Sequence, residues 1–380
     1  MATYDAIVIG TGGVGSAAAY HLARRGHRVL GLDRFSHGHD QGSSHGQTRM
    51  IRQAYFEHPD YVPLVKEAYK SWDALESEIR TKLFHRIGLL EVGPPDGVLI
   101  PGVLASVEKH NLTVDRLSEN DIRNRFPMFR SPSGYVGIFE NDAGYLLVEQ
   151  CVLAHLQLAQ QHGAELLTDE KVVEWNATSR GITVRTTRAE YSAGQLVVTA
   201  GAWSEEVLAS LGTSLRILVK HLQWYVSPSS EMQQQRGCPT FFFELPEGCF
   251  YGFPQIDHRG VKVAEHSGGV EISHPSRLEQ RISQSDQQRL DNFVSGCVAP
   301  LTTRSLDHKV CMYTMTPDEH FIVDRHPDHH NVCFAAGLSG HGFKFACILG
   351  AALADLATQQ TTELPIDFLR ANRPGLYKTD

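Results

Sequence analysis

At the start of the chain, the spacing of apolar residues changes from that of a strand to that of a helix and then back to that of a strand. Residues 4–9 form a short apolar run rich in β-branched side chains, which is typical of a buried strand. The glycine-rich turn GTGGVG follows at 10–15, and apolar residues then recur every four positions up to Gly26, which is typical of a helix that ends at a glycine. A second apolar run at 29–32 ends on Asp33. The pattern therefore predicts strand, glycine turn, helix and strand.

This N-terminal unit has the residues that hold a dinucleotide. Gly10 permits a tight turn, Gly12 lets the backbone approach a pyrophosphate at the helix N-terminus, and Gly15 allows close helix packing. Asp33 can accept a hydrogen bond from a ribose hydroxyl, which favours FAD or NAD over NADP. The cofactor-binding residues that we predict in this unit are Gly10, Gly12, Gly13, Val14, Gly15, Asp33 and Arg34.

Further α/β elements are predicted downstream. Apolar residues at helical spacing mark a long helix after Asp60 and another helix at 148–161. Residues 196–199 read as a strand that leads directly into Gly201. Near the end of the chain, 332–336 form a strand that is followed by a glycine-rich loop and an alanine-rich helix.

We interpret this layout as a discontinuous nucleotide-binding domain with a β-rich substrate domain inserted into it. From about 220 to 316 strands predominate, with one polar helical interval near 279–293. Ligands of such folds lie between the domains, beyond the strand ends. The boundaries that we predict are 1–84, 145–219 and 320–380 for the nucleotide-binding domain, and 85–144 and 220–319 for the substrate domain.

The spread of glycine-marked turns over the chain favours FAD over NAD. An NAD enzyme usually closes its nucleotide domain within one contiguous stretch, whereas the turns near 201 and 337 lie far from the first one. Taken singly, each late glycine cluster is an ordinary strand-to-helix turn. The further cofactor-binding residues predicted at these strands and turns are Val173, Gly201, Trp203, Gly340 and Gly342.

Charge and composition narrow the class of protein. The chain has 35 basic and 43 acidic residues, so its net charge is −8, and it lacks the basic stripe of a nucleic-acid binder. No run approaches the ~18 apolar residues of a membrane span, and the N-terminus lacks the basic region of a signal peptide. We therefore expect a cytoplasmic protein that binds neither nucleic acid nor a membrane.

The cysteines and histidines suggest no metal. Seven cysteines form no CxxC pair and no regular spacing, which argues against a disulfide framework and a zinc site. The histidine pair His37 and His39, and the group at 326–330, lack cysteine or carboxylate ligands at a familiar spacing. We expect no metal site.

Three separated motifs identify a family. GSSHGQTRMIR at 42–52, VCMYT at 310–314 and GHGFK at 340–344 occur in this order. With them the chain resembles, over its whole length, the monomeric sarcosine oxidase and N-methyltryptophan oxidase family. The resemblance implies an α/β fold with a Rossmann-like FAD-binding domain of the glutathione-reductase and D-amino-acid-oxidase type, and a β-rich substrate domain. We also expect a monomer.

The resemblance also implies a reaction. The secondary amine of an N-methyl or cyclic amino acid is oxidised by FAD, dioxygen becomes hydrogen peroxide, and water hydrolyses the imine to an aldehyde and a primary amine. The flavin takes the equivalent of a hydride, so the protein need only bind the neutral amine with its carbon over the ring. No catalytic base is required.

Several residues match family positions of known role. Cys311 matches the cysteine that links the flavin, which implies FAD held covalently as an 8α-S-cysteinyl thioether. Arg52 and Lys344 match the pair that holds the substrate carboxylate, with a bidentate fork and a point charge. Lys262 matches a lysine behind the flavin whose positive charge stabilises superoxide.

Other matched positions surround the flavin ring and the substrate. Arg49 matches a residue close to the flavin, with His45 and Thr48 nearby, and His266 matches an active-site histidine. As catalytic residues we predict Lys262, Arg49, His266, Tyr251 and His45. As substrate-binding residues we predict Arg52, Lys344, Tyr313 and Phe242. Further cofactor contacts are assigned to Ser43, Thr48, Arg49, Cys311 and Lys344.

Three positions depart from the family pattern and leave the substrate open. Ser44 and Gln53 stand where bacterial members often have histidine, and Phe242 stands where the sarcosine-specific type has methionine. Phe242 is a stiffer wall that could stack on an aromatic or ring substrate. The substrate is therefore an N-methyl amino acid or a cyclic one such as pipecolate or proline. Without the resemblance, an NAD-dependent dehydrogenase or a flavoprotein without turnover stay open.

Overall fold

The computed structural model of the chain describes residues 3–212 and 214–376. Twenty strands and eight α-helices lie in this part of the chain. The strands are β1 (Thr3–Ile9), β2 (Val29–Leu32), β3 (Thr48–Ile51), β4 (Phe84–Arg86), β5 (Leu89–Gly93), β6 (Asp115–Leu117), β7 (Val136–Glu140), β8 (Gly144–Leu147), β9 (Glu165–Leu167), β10 (Val172–Thr178), β11 (Gly181–Thr186), β12 (Glu190–Val198), β13 (Arg216–Tyr225), β14 (Thr240–Leu245), β15 (Gly248–Phe253), β16 (Val261–Glu265), β17 (Val270–Ile272), β18 (Ser305–Met315), β19 (Ile322–Arg325) and β20 (Val332–Ala336). The helices are α1 (Gly13–Arg24), α2 (Tyr61–Ile79), α3 (Leu99–His110), α4 (Glu119–Arg125), α5 (Val148–Gln161), α6 (Ser204–Val207), α7 (Gln284–Cys297) and α8 (Ala346–Gln359).

The first sheet contains the N-terminal unit and has eight strands. β9, β2, β1, β12 and β20 lie side by side and parallel, and β19 adds an antiparallel edge. β10 and β11 form an antiparallel extension on the first half of β12. β2 and β20 are buried along their whole length, which is typical of parallel strands with both faces covered. The predicted order of strand, glycine turn, helix and strand is present as β1, α1 and β2.

Helices α1, α5, α8 and α2 form the layer beside this sheet. α1 contacts both α8 and α5, and α2 packs against α8. The helices predicted after Asp60 and at 148–161 are α2 and α5. α1 and α8 approach so closely at Gly350 that a Cβ atom there would lie 2.5 Å from the Cβ of Ala17 and 2.6 Å from the backbone nitrogen of Ala18. The small residues of both helices therefore set their separation.

The second sheet has nine strands and two different faces. Its strands pair antiparallel, except that β14 lies parallel to β5. The long strand β13 pairs with β16 and β17 on one side and with β18 on the other. Because successive side chains of a strand point to opposite faces, Phe241 and Phe243 pack with Phe293 of α7, whereas Phe242 packs on the other face with Tyr251. That other face looks towards the small sheet of β3, β8 and β4.

This architecture confirms the predicted α/β class with a parallel nucleotide-binding sheet and a second, β-rich part. We propose the division of the chain given above as its domain organisation. The strands of the first sheet lie within 1–84, 145–219 and 320–380, whereas β13 begins at Arg216 and the small sheet joins both parts. Within the residues that the structure describes, no helix combines the length and the apolar character needed to span a bilayer.

The contact between α1 and α8 makes a prediction about stability. Gly350→Ala should lower the free energy of unfolding by ~1–2 kcal/mol, because overpacking costs more than the better helix propensity of alanine gains. Gly296→Ala is the matched control, since that glycine of α7 has open space around its missing Cβ. Urea unfolding measures both. Equal stabilities of the two variants would contradict the close packing at Gly350.

Candidate active site

A long cleft runs between the two sheets. It is bounded by the carboxyl ends of β1, β2, β12 and β20 on one side and by β14, β15 and β18 on the other, and it encloses about 1890 Å³ of space including its open mouth. Most residues predicted from the sequence line it, namely Gly10, Gly12, Gly13, Val14, Asp33, Arg34, Ser43, Arg49, Arg52, Gly201, Trp203, Phe242, Tyr251, His266, Cys311, Tyr313, Gly340, Gly342 and Lys344. The predicted residues outside its lining are Gly15, His45, Thr48, Val173 and Lys262.

The glycine turn has the geometry that its spacing predicts. Gly10 adopts a φ of +84°, and a Cβ there would lie 2.5 Å from the carbonyl oxygen of Thr199. A Cβ at Gly15 would collide with the carbonyl oxygen of Gly10, so α1 packs tightly on the turn. At Gly12 the space is open apart from the Ser44 hydroxyl 3.6 Å away. The N-cap residue Gly12 has no side chain to cap α1, and the hydroxyl of Ser44 accepts from the N–H of Gly13 at 3.1 Å. The first turn contains no acidic residue, so this end of the helix favours an anion.

Asp33 lies at the end of β2, nearly buried, and is already part of a hydrogen-bond network. Its Oδ2 accepts from the backbone N–H and the hydroxyl of Thr11 at 2.8 and 3.0 Å, and its Oδ1 accepts from the N–H of Phe35 at 3.1 Å. Although burial opposes ionisation, the hydrogen bonds of His39 and the two backbone N–H groups lower the pKa of Asp33. The carboxylate is thus fixed and charged at the edge of the cleft.

Arg34 and Trp203 form the far end of the cleft. The Arg34 guanidinium lies 3.6 Å from the ring centroid of Trp203 and 3.6 Å from Oε1 of Glu206. Val173 lies outside the lining and is 45% exposed, while its neighbour Val172 lines the cleft. A β-bulge between Val172 and Glu174 interrupts the pairing at this point. Sequence pattern does not show which of two adjacent valines faces inward.

The loop before β3 lies against Cys311 of β18. The Ser43 hydroxyl donates to the carbonyl of Met312 at 2.6 Å. Arg49 donates to the carbonyls of Ser43 and Thr48, each at 2.9 Å, and to the sulfur of Cys311 at 3.2 Å. Cys311 is 1% exposed yet lines the cleft. Arg49 therefore holds loop and sulfur together at the cleft wall.

Lys262 lies behind this loop. Its ammonium donates to the carbonyls of Gly46 and Thr48 at 2.5 and 2.9 Å and to the Thr48 hydroxyl at 3.3 Å. Burial, and secondly the charge of Arg49, lower the pKa of Lys262 well below its ordinary value. Lys262 and Arg49 both donate to the carbonyl of Thr48, so these three predicted residues lie close together, and Lys262 and Thr48 stand one layer outside the cleft lining.

His45 is a buried imidazole in the same loop. It is 2% exposed, and neither ring nitrogen has a hydrogen-bond partner among the described residues. Burial, with the charge of Arg49 as the second cause, lowers its pKa to about 4. The ring is therefore neutral at physiological pH, and it contacts no lining residue through a hydrogen bond in the described part of the chain.

Arg52 and Lys344 meet at the other end of the cleft. Arg52 donates to both carboxylate oxygens of Glu57, at 2.9 and 2.8 Å. Lys344 donates to the carbonyl of His341 at 2.7 Å and to the Tyr55 hydroxyl at 3.3 Å. Burial, and secondly Arg52, lower the pKa of Lys344 to about 7. Although burial opposes its ionisation, Arg52 brings the pKa of Glu57 to about 2, so this end of the cleft contains a bound carboxylate of the protein itself.

Aromatic side chains form the walls between these cations and the loop. Phe242 and Tyr251 are cross-strand partners on β14 and β15. His266 lies with its ring centroid 5.7 Å from those of Phe242 and Tyr313, and its Nδ1 is 3.4 Å from the Tyr313 hydroxyl. Burial lowers the pKa of His266 to about 3. Uncharged aromatic rings therefore line the pocket between Arg49 at the loop and the charged cluster of Arg52, Glu57 and Lys344.

The partners of the cations are the residues that sequence reasoning missed. Arg52 donates hydrogen bonds to Glu57, and Glu91 lies 3.4 Å from its Nε. Lys344 donates to the Tyr55 hydroxyl and to the carbonyl of His341. Glu91 could have been noticed as a lone acid in the apolar run LLEVG. No group of three or more metal-binding side chains is present in residues 3–212 and 214–376.

Comparisons with known proteins agree with this geometry. The family model described as FAD dependent oxidoreductase matches residues 5–356. The chain is 40% identical over 377 residues to the monomeric sarcosine oxidase of Streptomyces avermitilis, covering 98% of both proteins. It is 35% identical over 372 residues to the N-methyl-L-tryptophan oxidase of Salmonella dublin, covering 97% of this chain and 99% of the other.

A solved structure is also closely similar. NikD, described as an unusual amino acid oxidase essential for nikkomycin biosynthesis, has a TM-score of 0.87 and 27% identity, covering 97% of this chain and 98% of the other. The glycine oxidase of Geobacillus kaustophilus shares the fold, with a TM-score of 0.81 at 18% identity. These matches confirm the resemblance predicted from the three sequence motifs.

Proposed function

The chain belongs to the FAD dependent oxidoreductases, and we propose that it is an oxidase of secondary amino acids that uses dioxygen as electron acceptor. The observation that carries the proposal is the pair Arg52 and Lys344 at the end of an aromatic-walled cleft. A guanidinium fork and an ammonium group on one side of an apolar pocket suit an amino acid whose carboxylate points to these cations and whose amine is uncharged. The named relatives act on sarcosine and N-methyltryptophan, which are N-methyl amino acids.

The residues of the cleft fit FAD. The N-terminus of α1, which has no acidic residue in its first turn, and the space at Gly12 suit a diphosphate. Asp33 carries a fixed carboxylate at the end of β2 for a ribose hydroxyl, and Arg34 with Trp203 offers a flat surface beside it. The opposite end, at Cys311 and Tyr313, is where the reactive ring would lie. FAD would supply the acceptor for two electrons and the equivalent of a hydride from the substrate carbon.

A covalent link through Cys311 is part of the proposal. The sulfur lines the cleft and is held by Arg49 in a wall that contains the matched motif VCMYT. An 8α-S-cysteinyl thioether here would prevent loss of the cofactor. Ser43 and Arg49 would keep loop and strand in register around that link.

The chain's own part in the reaction is to bind and orient the amino acid. The carboxylate of the amino acid would take the place of Glu57 at Arg52, and Lys344 would be the second cation that it meets. Phe242 and Tyr251 would exclude water and hold the amine carbon in place. The oxidised product is an imine, and its hydrolysis by water gives an aldehyde and a primary amine, or an opened ring from a cyclic substrate. We also propose that the protein is a monomer and that it works in the cytoplasm.

Lys262 is proposed to assist the reaction with dioxygen. A buried ammonium one layer behind the cleft wall places positive charge where negative charge develops on oxygen. Burial lowers the pKa of Lys262 and so favours the neutral amine. Its hydrogen bonds to the carbonyls of Gly46 and Thr48 would favour the protonated form. The catalytic role predicted for His45, whose ring is neutral in the same loop, remains part of this proposal.

Turnover of a panel of amines tests the function. Purified protein should produce hydrogen peroxide from sarcosine or N-methyltryptophan, and Arg52→Met should lower kcat/KM by about 100-fold, since two charge-assisted hydrogen bonds are lost. Arg86→Met, on a surface arginine paired with Asp73, is the control. Peroxide from pipecolate or proline alone would favour the cyclic-substrate alternative, and no peroxide from any of the four would refute the oxidase.

The covalent link makes a separate prediction. Acid precipitation of the wild type should leave the flavin absorbance with the protein pellet, whereas Cys311→Ser should release it to the supernatant. Cys249→Ser is the control, because that half-buried cysteine lies outside the cleft lining. Flavin retained in the Cys311→Ser pellet would exclude this cysteine as the link.

The role of Lys262 is tested by separating the two half-reactions. In Lys262→Met, stopped-flow absorbance should show anaerobic flavin reduction by substrate within about threefold of wild type. Reoxidation by dioxygen should be about 100-fold slower, as for the loss of one preorganised charge. Lys82→Met, on a surface lysine paired with Glu76, is the control and should leave reoxidation unchanged. Unaltered reoxidation in Lys262→Met would remove the proposed role.

A further inference from the structure

Glu91 is a buried carboxyl group that the proposed reaction leaves unused. It is the middle residue of β5, and its side chain is 0% exposed. Neither carboxyl oxygen has a hydrogen-bond partner among the described residues. Leaving a buried polar group unpaired costs roughly 1–3 kcal/mol. Such a position calls for an explanation beyond packing.

The surroundings of Glu91 place it behind the carboxylate end of the cleft. Its neighbours across the sheet are Ile138 on β7 and Phe242 on β14, the predicted substrate wall. Its Oε1 lies 3.4 Å from Nε of Arg52, which itself has no hydrogen-bond acceptor in the described residues. Arg52 therefore faces two carboxyl groups, Glu57 beside the cleft and Glu91 within the sheet.

The two carboxyl groups differ in how firmly they are fixed. Glu57 lies in the connection between β3 and α2 and contacts the cleft. Glu91 is held in a sheet strand between two paired neighbours. A ligand carboxylate that enters the cleft can replace Glu57 but not Glu91. After that exchange Glu91 is the protein's own remaining carboxyl group against the guanidinium.

On the proposed function, we infer that Glu91 lies at the Nε edge of Arg52 as a second ion-pair partner and, when ionised, competes electrostatically with the substrate carboxylate for that guanidinium. Substrate binding then depends on the protonation of a group that never contacts the substrate. The coupling between two sites is reciprocal: a bound carboxylate also makes ionisation of Glu91 harder.

The charges around Glu91 determine the direction of this effect. Burial is the main cause that raises its pKa, to about 8, and Arg52 opposes this rise. The negative charges of Glu140 on β7 and of Glu57 raise the pKa of Glu91 further, and the positive charge of Lys344 lowers it. Below pH 8 the neutral Glu91 leaves the positive charge of Arg52 available to a ligand. Above pH 8 the ionised Glu91 offsets that charge, so carboxylate affinity falls as pH rises.

Loss of the charge of Lys344 also lowers carboxylate affinity as pH rises, and this effect has to be separated from that of Glu91 by experiment. The pKa of Lys344 is about 7, so this lysine loses its charge as pH rises through neutrality, which weakens carboxylate binding. Two variants divide the effects. Glu91→Gln keeps the size and polarity of the side chain but cannot ionise, and Lys344→Met removes the second cation.

Calorimetric titration of the flavin-loaded protein with propionate, between pH 6.5 and 9.5, tests the inference. Propionate carries the carboxylate without an oxidisable amine. In Lys344→Met the Kd should rise about tenfold around pH 8, which corresponds to a shift of one pKa unit in Glu91 on binding. In Glu91→Gln the Kd at pH 6.5 should stay within threefold of wild type, and the rise to pH 9.5 should be about tenfold smaller.

The possible outcomes are distinct. A Glu91→Gln variant with the pH dependence of wild type, or one that binds more weakly by the same factor at every pH, would overturn the inference. Should that variant fail to fold, a flat Kd in Lys344→Met above pH 7 would overturn it equally. If the wild type binds propionate at no pH, the inference falls, and if it also forms no peroxide from any of the four amines, the proposed function falls with it. Peroxide formation from an amino acid together with a pH-independent Kd would remove the inference alone.

Discussion

Cations buried beside a cleft are the constraint on which the rest of this structure depends. Lys262, Arg52 and Lys344 are 1–4% exposed in a protein whose net charge is −8. Taking a charge out of water costs several kcal/mol unless the protein replaces the lost hydrogen bonds. Each cation therefore needs acceptors at fixed positions. The carbonyls of Gly46, Thr48 and His341, and the carboxylate of Glu57, supply them.

The backbone takes unusual conformations to deliver these acceptors. Gly46 and Gln47 both have positive φ values, of 87° and 74°, next to the carbonyl that receives Lys262. A non-glycine residue in that region is strained, and the Gln47 side chain stabilises the turn because it accepts from Trp224 and donates to Asp257, each at 2.8 Å. The cost of burying Lys262 is thus offset partly by the loop that covers it.

The sequence predicted those parts that depend on local pattern or on a motif. The β1, α1 and β2 unit, α2 and α5 follow from periodicity alone, since each element carries its own apolar face. The contact of Arg52 with Glu57 joins residues five apart in the irregular connection after β3, and the contact of Arg52 with Glu91 depends on the register of β5 between β14 and β7. Val172 and Val173 show the same limit on a smaller scale, because a bulge decides which of them faces the cleft. Periodicity contains no information about either.

The charge balance at Arg52 suits the carboxylate ligand that is proposed for this cleft. Without ligand, the guanidinium is already neutralised by Glu57 through two hydrogen bonds. On the proposed function, an incoming carboxylate takes the place of Glu57 and accepts hydrogen bonds from the same guanidinium, while Glu91 keeps its position at Nε. A ligand without a carboxylate would leave Glu57 on Arg52 and would gain no hydrogen bond from that guanidinium. On the proposed function, selectivity for amino acids over simple amines would therefore arise at Arg52, because only a carboxylate can take the place of Glu57, and Phe242 and Tyr251 would select among the side chains that follow it.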